Sequence, residues 1–134
     1  MSNPTASDLN AFADLPAAEL RSRLERVSES DLDALPFGVI RLDPASQVVF
    51  YSQTEGRQSG HTTRYTIGKK FFTELAPCMG TPEFQQRVEQ ARAAGNLDIT
   101  FEQVGDFADA DRQLLVRMIS SADAGVWILL QRKQ

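Results

Sequence analysis

The sequence predicts an α+β fold: a central five-stranded antiparallel sheet flanked by helices, with a helical cap over residues 1–30 ahead of a main domain over residues 31–134. Three observations carry this expectation. The apolar pattern runs helix, two strands, several short helices, one longer helix, three strands. Short turns join two of the strand pairs, which makes those pairs antiparallel. The 134 residues are 42% apolar and include eight phenylalanines, enough for one core.

The elements follow in order. In PAAELRSRLERVSESDL, Pro16 suits a helix start, and Leu20, Leu24 and Val27 make a thin apolar stripe. So narrow a stripe covers part of a sheet or a second subunit, the latter giving a weak homodimer. FGVIRLDPASQVVFYS reads as a hairpin, with strands at Val39–Leu42 and Val48–Phe50 and DPAS as the turn. SQTEGRQSGHTTRY is polar and fits short helical turns, and IGKKFF begins a short helix that Pro77 must end. TPEFQQRVEQARAAGN is the clearest helix, with Thr81 as N-cap, Pro82 in the first turn and Gly95 or Asn96 at the end. LDITFEQV, QLLVRMIS and GVWILLQRK are three strands, the last two joined at ADAG. Alternation in these strands suggests one buried face, one partly wet face and helices crossing one side. The gap between the first hairpin and the last three strands is the expected place for a pocket.

Composition excludes several classes. A net charge of −4 without a basic cluster argues against nucleic acid. The apolar runs are too short to cross a membrane. MSNPTASDLNAF has neither a basic start nor an apolar core, so a cytoplasmic protein is expected. One cysteine and one histidine provide neither an internal disulfide nor a Cys/His metal site. No Gly-rich phosphate loop is present.

Few residues remain to carry chemistry. Cys78 follows Pro77 and precedes the helix start at Thr81, a place for either a small buried hydrophobe or a ligand-bearing thiol. A thiol enzyme would need a base nearby, and His61 is the single histidine. Tyr51 ends a strand and Glu55 lies four residues on, one helical turn if the chain coils there. A buried Glu55 tends to be protonated, and two donors converging on one point suit a ligand with an oxyanion. A surface Glu beside a rim Tyr is the simpler alternative. Ser59 can orient the Tyr51 hydroxyl, while His61, Phe71, Phe72, Phe84, Phe101 and Trp127 taken singly suit loop or core.

The segments DLDALPFGVIRLD, YSQTEG, IGKKFFTELAPC, PEF, GNLDITFE and the tryptophan of GVWILL, in this order, resemble the photoactive yellow protein family over residues 31–133. The resemblance implies a PAS-like fold and a blue-light photoreceptor rather than an enzyme. It implies p-coumaric acid (4-hydroxycinnamic acid) joined to Cys78 as a thioester. Tyr51 and Glu55 then fall where the family bonds the phenolate oxygen, Ser59 where a threonine supports the tyrosine, and Ile40 beside them. Phe71, Phe72 and Phe84 match aromatics that pack the pocket. Light isomerises the chromophore from trans to cis, Glu55 passes on its proton, and the cap loosens toward an unknown downstream signalling protein. Departures stand at His61, where the family has arginine, and at EQVG in place of EYTF, which puts Gln103 for tyrosine and Gly105 for phenylalanine. Asp109 is the nearest counterpart of a family methionine. The alternative is a PAS-type small-ligand or protein-interaction domain without photochemistry.

Overall fold

Period-two alternation builds the sheet and assigns its faces. A computed structural model describes residues 15–76, 79–104 and 112–132. Cys78, Gly105, Asp109 and residues 1–14 of the expected cap lie outside these. The strands are β1 (Gly38–Leu42), β2 (Val48–Tyr51), β3 (Asp98–Val104), β4 (Gln113–Ser120) and β5 (Val126–Arg132). Their order is β2-β1-β5-β4-β3, and every neighbouring pair is antiparallel. β1 pairs directly with β5, Ile40 opposite Ile128, so the expected gap between the first hairpin and the last three strands is closed. That gap was inferred from chain order, whereas the sheet brings the two ends of the domain together.

Successive residues of β5 serve opposite faces. Val126, Ile128 and Leu130 join Ile40, Leu42, Val116 and Met118 in one core. Trp127 and Leu129 join Val39, Phe50 and Ile119 in another. Edge strand β3 keeps the expected alternation, with Asp98, Thr100 and Glu102 exposed and Ile99 and Phe101 partly buried, whereas at β5 both faces are dry. The reason is α1 (Ala17–Arg26), whose Leu20 and Leu24 cover the second face. A stripe two residues wide suffices because the sheet supplies the larger apolar surface. The helix does not continue to Leu32 as the sequence suggested. Val27 turns extended, and Ser28 caps a separate short helix α2 (Glu29–Asp33), its hydroxyl accepting from the Asp31 amide.

The first face is covered by α3 (Gln53–Ser59), α4 (Thr63–Thr66), a π-helical turn over Phe71–Leu75 and α5 (Pro82–Ala93). In the π-turn the Ala76 amide donates to the Phe71 carbonyl, which brings Phe71 and Phe72 inward together. Thr81 caps α5 and Pro82 sits in its first turn, as expected, and Gly95 ends it with φ +77°.

The β1–β2 turn closes on Asp43, whose carboxylate accepts from the amides of Ala45 and Gln47. The β4–β5 turn closes on Asp123, bonded by the Ser121 hydroxyl and the Gly125 amide and paired with Arg41 at 3.3 Å. Arg41 also lies over the Trp127 ring, 4.9 Å from its centre. The Ser121 hydrogen bond, the largest effect, holds the Asp123 carboxyl below its ordinary value of 3.8; burial opposes it, and the Arg41 charge and hydrogen bond add to the lowering. A carboxyl lowered in the folded state stabilises the protein above its unfolded pKa, and that contribution disappears as pH falls through the folded one. Asp123→Asn should therefore lower the urea midpoint slightly at pH 7, by less than about 1 kcal/mol for so exposed a group. The difference from the parent should shrink below about pH 4. A deficit that stays constant down to pH 3 would contradict this account.

Candidate functional site

Ser52, fully buried, ties the site to the sheet. Its hydroxyl accepts from the amides of Val39 on β1 and Glu55 on α3, at 3.1 and 3.2 Å. It thus caps α3 and fixes where that helix leaves β2. Tyr51 and Glu55 come from either side of this cap, and both are buried. The one-turn spacing read from the sequence is a strand end meeting a helix start. The Tyr51 hydroxyl lies 2.7 Å from Ser59 Oγ on the last residue of α3, so the expected pairing of Ser59 with Tyr51 is present. Ser59 Oγ also accepts from the His61 amide. The His61 ring is half-buried and stacks on Tyr65, with centres 5.5 Å apart. The backbone therefore ties His61 to the Tyr51 group, while its ring is held against α4.

Glu55 is only 2% exposed. Its two oxygens accept from the two terminal nitrogens of Arg132 at 2.7 and 2.8 Å, and Arg132 Nη1 also donates to Gln58 Oε1 at 3.1 Å. Both side chains of the pair are almost wholly buried. A two-pronged contact of this kind is the geometry of an ionised carboxylate. The sequence led us to expect a neutral Glu55, because burial alone disfavours its charge. The fold supplies the missing cation from the end of β5, 77 residues away. Space for the carboxylate comes from Gly38. A Cβ there would stand 1.9 Å from Glu55 Oε1.

Aromatic rings form a connected wall. Phe71 meets Phe72, Phe72 meets Phe84, and Phe84 meets Phe101, each edge to face, at 5.1, 6.3 and 5.3 Å. Ile40, Tyr51, Phe71, Phe72 and Met79 belong to one core, with Phe84 and Phe101 packed against it. Between α5 and β3 lies a cavity of about 550 Å³, lined by Met79, Phe84, Ile99 and Phe101 and by the polar Thr81, Arg87, Thr100 and Gln103. Its size is that of a small-molecule site, roughly 300–1,000 Å³. Gln103, noted as a departure from an aromatic, is part of its lining.

Sequence reasoning missed Arg132, Gln58 and Gly38. Strand parity carried a signal for the first: residue 132 shares a face with Ile128 and Leu130, so a cation there points toward the site face of the sheet. Nothing local marked Gly38 or Gln58.

This sheet order, with helices on both faces and a buried polar cluster on one, defines a PAS-type sensor domain. The family described as the PAS fold matches residues 32–130. The chain is 35% identical over 115 residues to the photoactive yellow protein of Halochromatium salexigens, covering 85% of this chain and 92% of that protein. It is 30% identical, with the same coverage, to the photoactive yellow protein of Rhodothalassium salexigens. The photoactive yellow protein domain of the sensor histidine kinase Ppr from Rhodospirillum centenum superposes with a TM-score of 0.74 at 34% identity, covering 83% of this chain and 98% of that one. The chain belongs to the photoactive yellow protein family. It is a PAS-type photoreceptor or sensor, and relatives named for photoactivity imply a chromophore. Among the described residues no helix is long and apolar enough to cross a membrane.

Gly38→Ala should displace the Glu55 carboxylate and cost about 1–3 kcal/mol, the usual penalty for overfilling a packed interior. Urea unfolding measures it. An unchanged midpoint would mean that Glu55 does not lie against β1.

Proposed function

We propose that this protein is a blue-light photoreceptor that carries p-coumaric acid as a thioester on Cys78. The observation that carries the reading is the buried group of donors at α3: Tyr51 bonded to Ser59, with buried Glu55 one turn before Ser59 on the same helix. The reading is also supported by Met79, next in sequence to Cys78, which joins the aromatic-walled cavity to the core that holds Tyr51. The residue types fit the chromophore: hydroxyls and a carboxyl for a phenolate oxygen, rings for its aromatic body, a thiol for its acyl carbon.

When bound, the chromophore supplies a light-driven trans-to-cis isomerisation and an oxyanion of variable basicity. The protein's residues supply the rest. Tyr51 donates its hydroxyl proton in a hydrogen bond to the oxyanion, and Ser59 fixes the direction of that hydroxyl. Protonated, Glu55 donates the second hydrogen bond, and bonds to a charged acceptor are the strong kind. Phe71, Phe72, Phe84 and Ile40 exclude water, which strengthens both bonds. After isomerisation Glu55 gives up its proton and becomes a buried carboxylate, an expensive species unless it finds a cation.

The output is loosening of the N-terminal cap. α1 rests on the sheet through Leu20 and Leu24, a 3.5 Å bond from Arg21 to the Ser120 carbonyl, and a 3.0 Å bond from the Ala122 amide to Glu25. Surface elements of this kind are the ones that open below the cost of global unfolding. The downstream partner is a signalling protein, in keeping with a relative that is a domain of a sensor histidine kinase.

Incubation with an activated thioester of p-coumaric acid tests the reading. The parent should gain one acyl group by intact mass and turn yellow, and Cys78→Ala should do neither. A colourless parent with no mass gain would favour a PAS-type domain for a non-covalent ligand.

A further inference from the structure

Glu55 has a partner that the proposed photochemistry does not use. Arg132 meets it with both terminal nitrogens, and Gln58 Oε1 takes a further bond from Nη1, so the guanidinium has a partner besides Glu55. The ionisable side chains on the elements around Glu55 are engaged in different ways. Arg57 on α3 donates to Thr54 Oγ1, Asp33 on α2 accepts from the Gln53 amide, and Arg41 on β1 pairs with Asp123. Tyr51 lies against Ser59, and the His61 ring stacks on Tyr65. Arg132 bonds both oxygens of the Glu55 carboxylate.

We propose that Arg132 is a positioning residue that receives the Glu55 carboxylate whenever Glu55 loses its proton. Where Glu55 acts as a phenolate donor, which rests on the function proposed above, the side chain then has two alternative partners. As an acid it serves the chromophore oxygen. As a carboxylate it docks on Arg132. The proton leaves Glu55 Oε for the phenolate oxygen, an O–H bond breaking on one and forming on the other. The resulting anion is neutralised by a cation already desolvated and oriented, so the lit state need not expose it to water. Gly38 leaves the space in which the docked carboxylate lies. Because Arg132 is the last residue of β5, a change in the charge of Glu55 reaches the end of the strand that also carries Trp127 and Leu129 beneath α1.

Two measurements test this, one of them without chromophore. In the unreconstituted protein, carbon NMR of labelled glutamate carboxyls follows the titration of Glu55, assigned with Glu55→Gln. An opposite charge in contact lowers a carboxyl transition by about 1–3 units, so Arg132→Gln should raise the Glu55 transition by that amount. Arg132→Lys keeps the cation but loses the fork, and should fall between parent and Arg132→Gln. The lysine variant carries the test if the glutamine variant does not fold. In reconstituted protein, recovery after a flash should be at least about tenfold faster in Arg132→Gln, the rate equivalent of one unit. A Glu55 transition that is the same in parent, lysine and glutamine variants would overturn the assignment. So would an unchanged recovery rate in a variant that bleaches normally. If the parent never acquires chromophore, the photochemical reading fails, and the titration still decides whether Arg132 holds Glu55.

Discussion

A buried carboxylate is tolerated only beside a matched cation, and much of the arrangement around this site follows from that constraint. Glu55 and Arg132 are both desolvated, and the attraction between them must offset several kcal/mol of lost hydration per ion. The geometry supplies what such a pair needs: two parallel bonds, a third to Gln58, and a glycine that lets the carboxylate lie against β1. Such a pair adds little to net stability, and replacing both partners by apolar groups is often neutral. On the function proposed above, the pair serves a group whose charge changes.

The sheet connects this site physically to the rest of the domain. β5 is central, bonded to β1 on one side and β4 on the other. Its alternate residues belong to different cores, Ile128 and Leu130 with Tyr51 and the aromatic wall, Trp127 and Leu129 with α1. Arg132 continues the first set. The strand that ends in Arg132 is therefore the one whose other face packs against α1. Ser52 forms a second link, since one hydroxyl caps the helix that carries Glu55 and also receives the Val39 amide. Val39 itself belongs to the cap-side core.

The strands were legible because their alternation is strong and their turns use residues with definite backbone preferences. The β1–β2 turn was readable from Asp43 and the α5 start from Thr81 and Pro82. Burial of the second face was less legible, since α1 shows only a thin stripe and its fit depends on a surface remote in sequence. The break at Val27–Ser28 was hidden by a helical pattern on both sides of it. Within the site, Tyr51 with Ser59 followed from local spacing, because the strand end at Tyr51 runs straight into α3, on which Ser59 lies one turn after Glu55. The charge of Glu55 did not, because its partner lies across the sheet. Strand parity would have placed Arg132 on the correct face, but only the register of β1 on β5 brings it to Glu55.

The central claim is that Glu55 and Arg132 form one buried ionic unit, and a double-mutant cycle in urea tests it most directly. Glu55→Gln and Arg132→Gln should each lose about 3–5 kcal/mol, since each leaves a polar group buried without its counter-charge. The double variant should lose clearly less than the sum, with a coupling of at least about 2 kcal/mol. Losses that add to within about 0.5 kcal/mol would mean that the two side chains do not depend on each other, and the account of the site would be wrong.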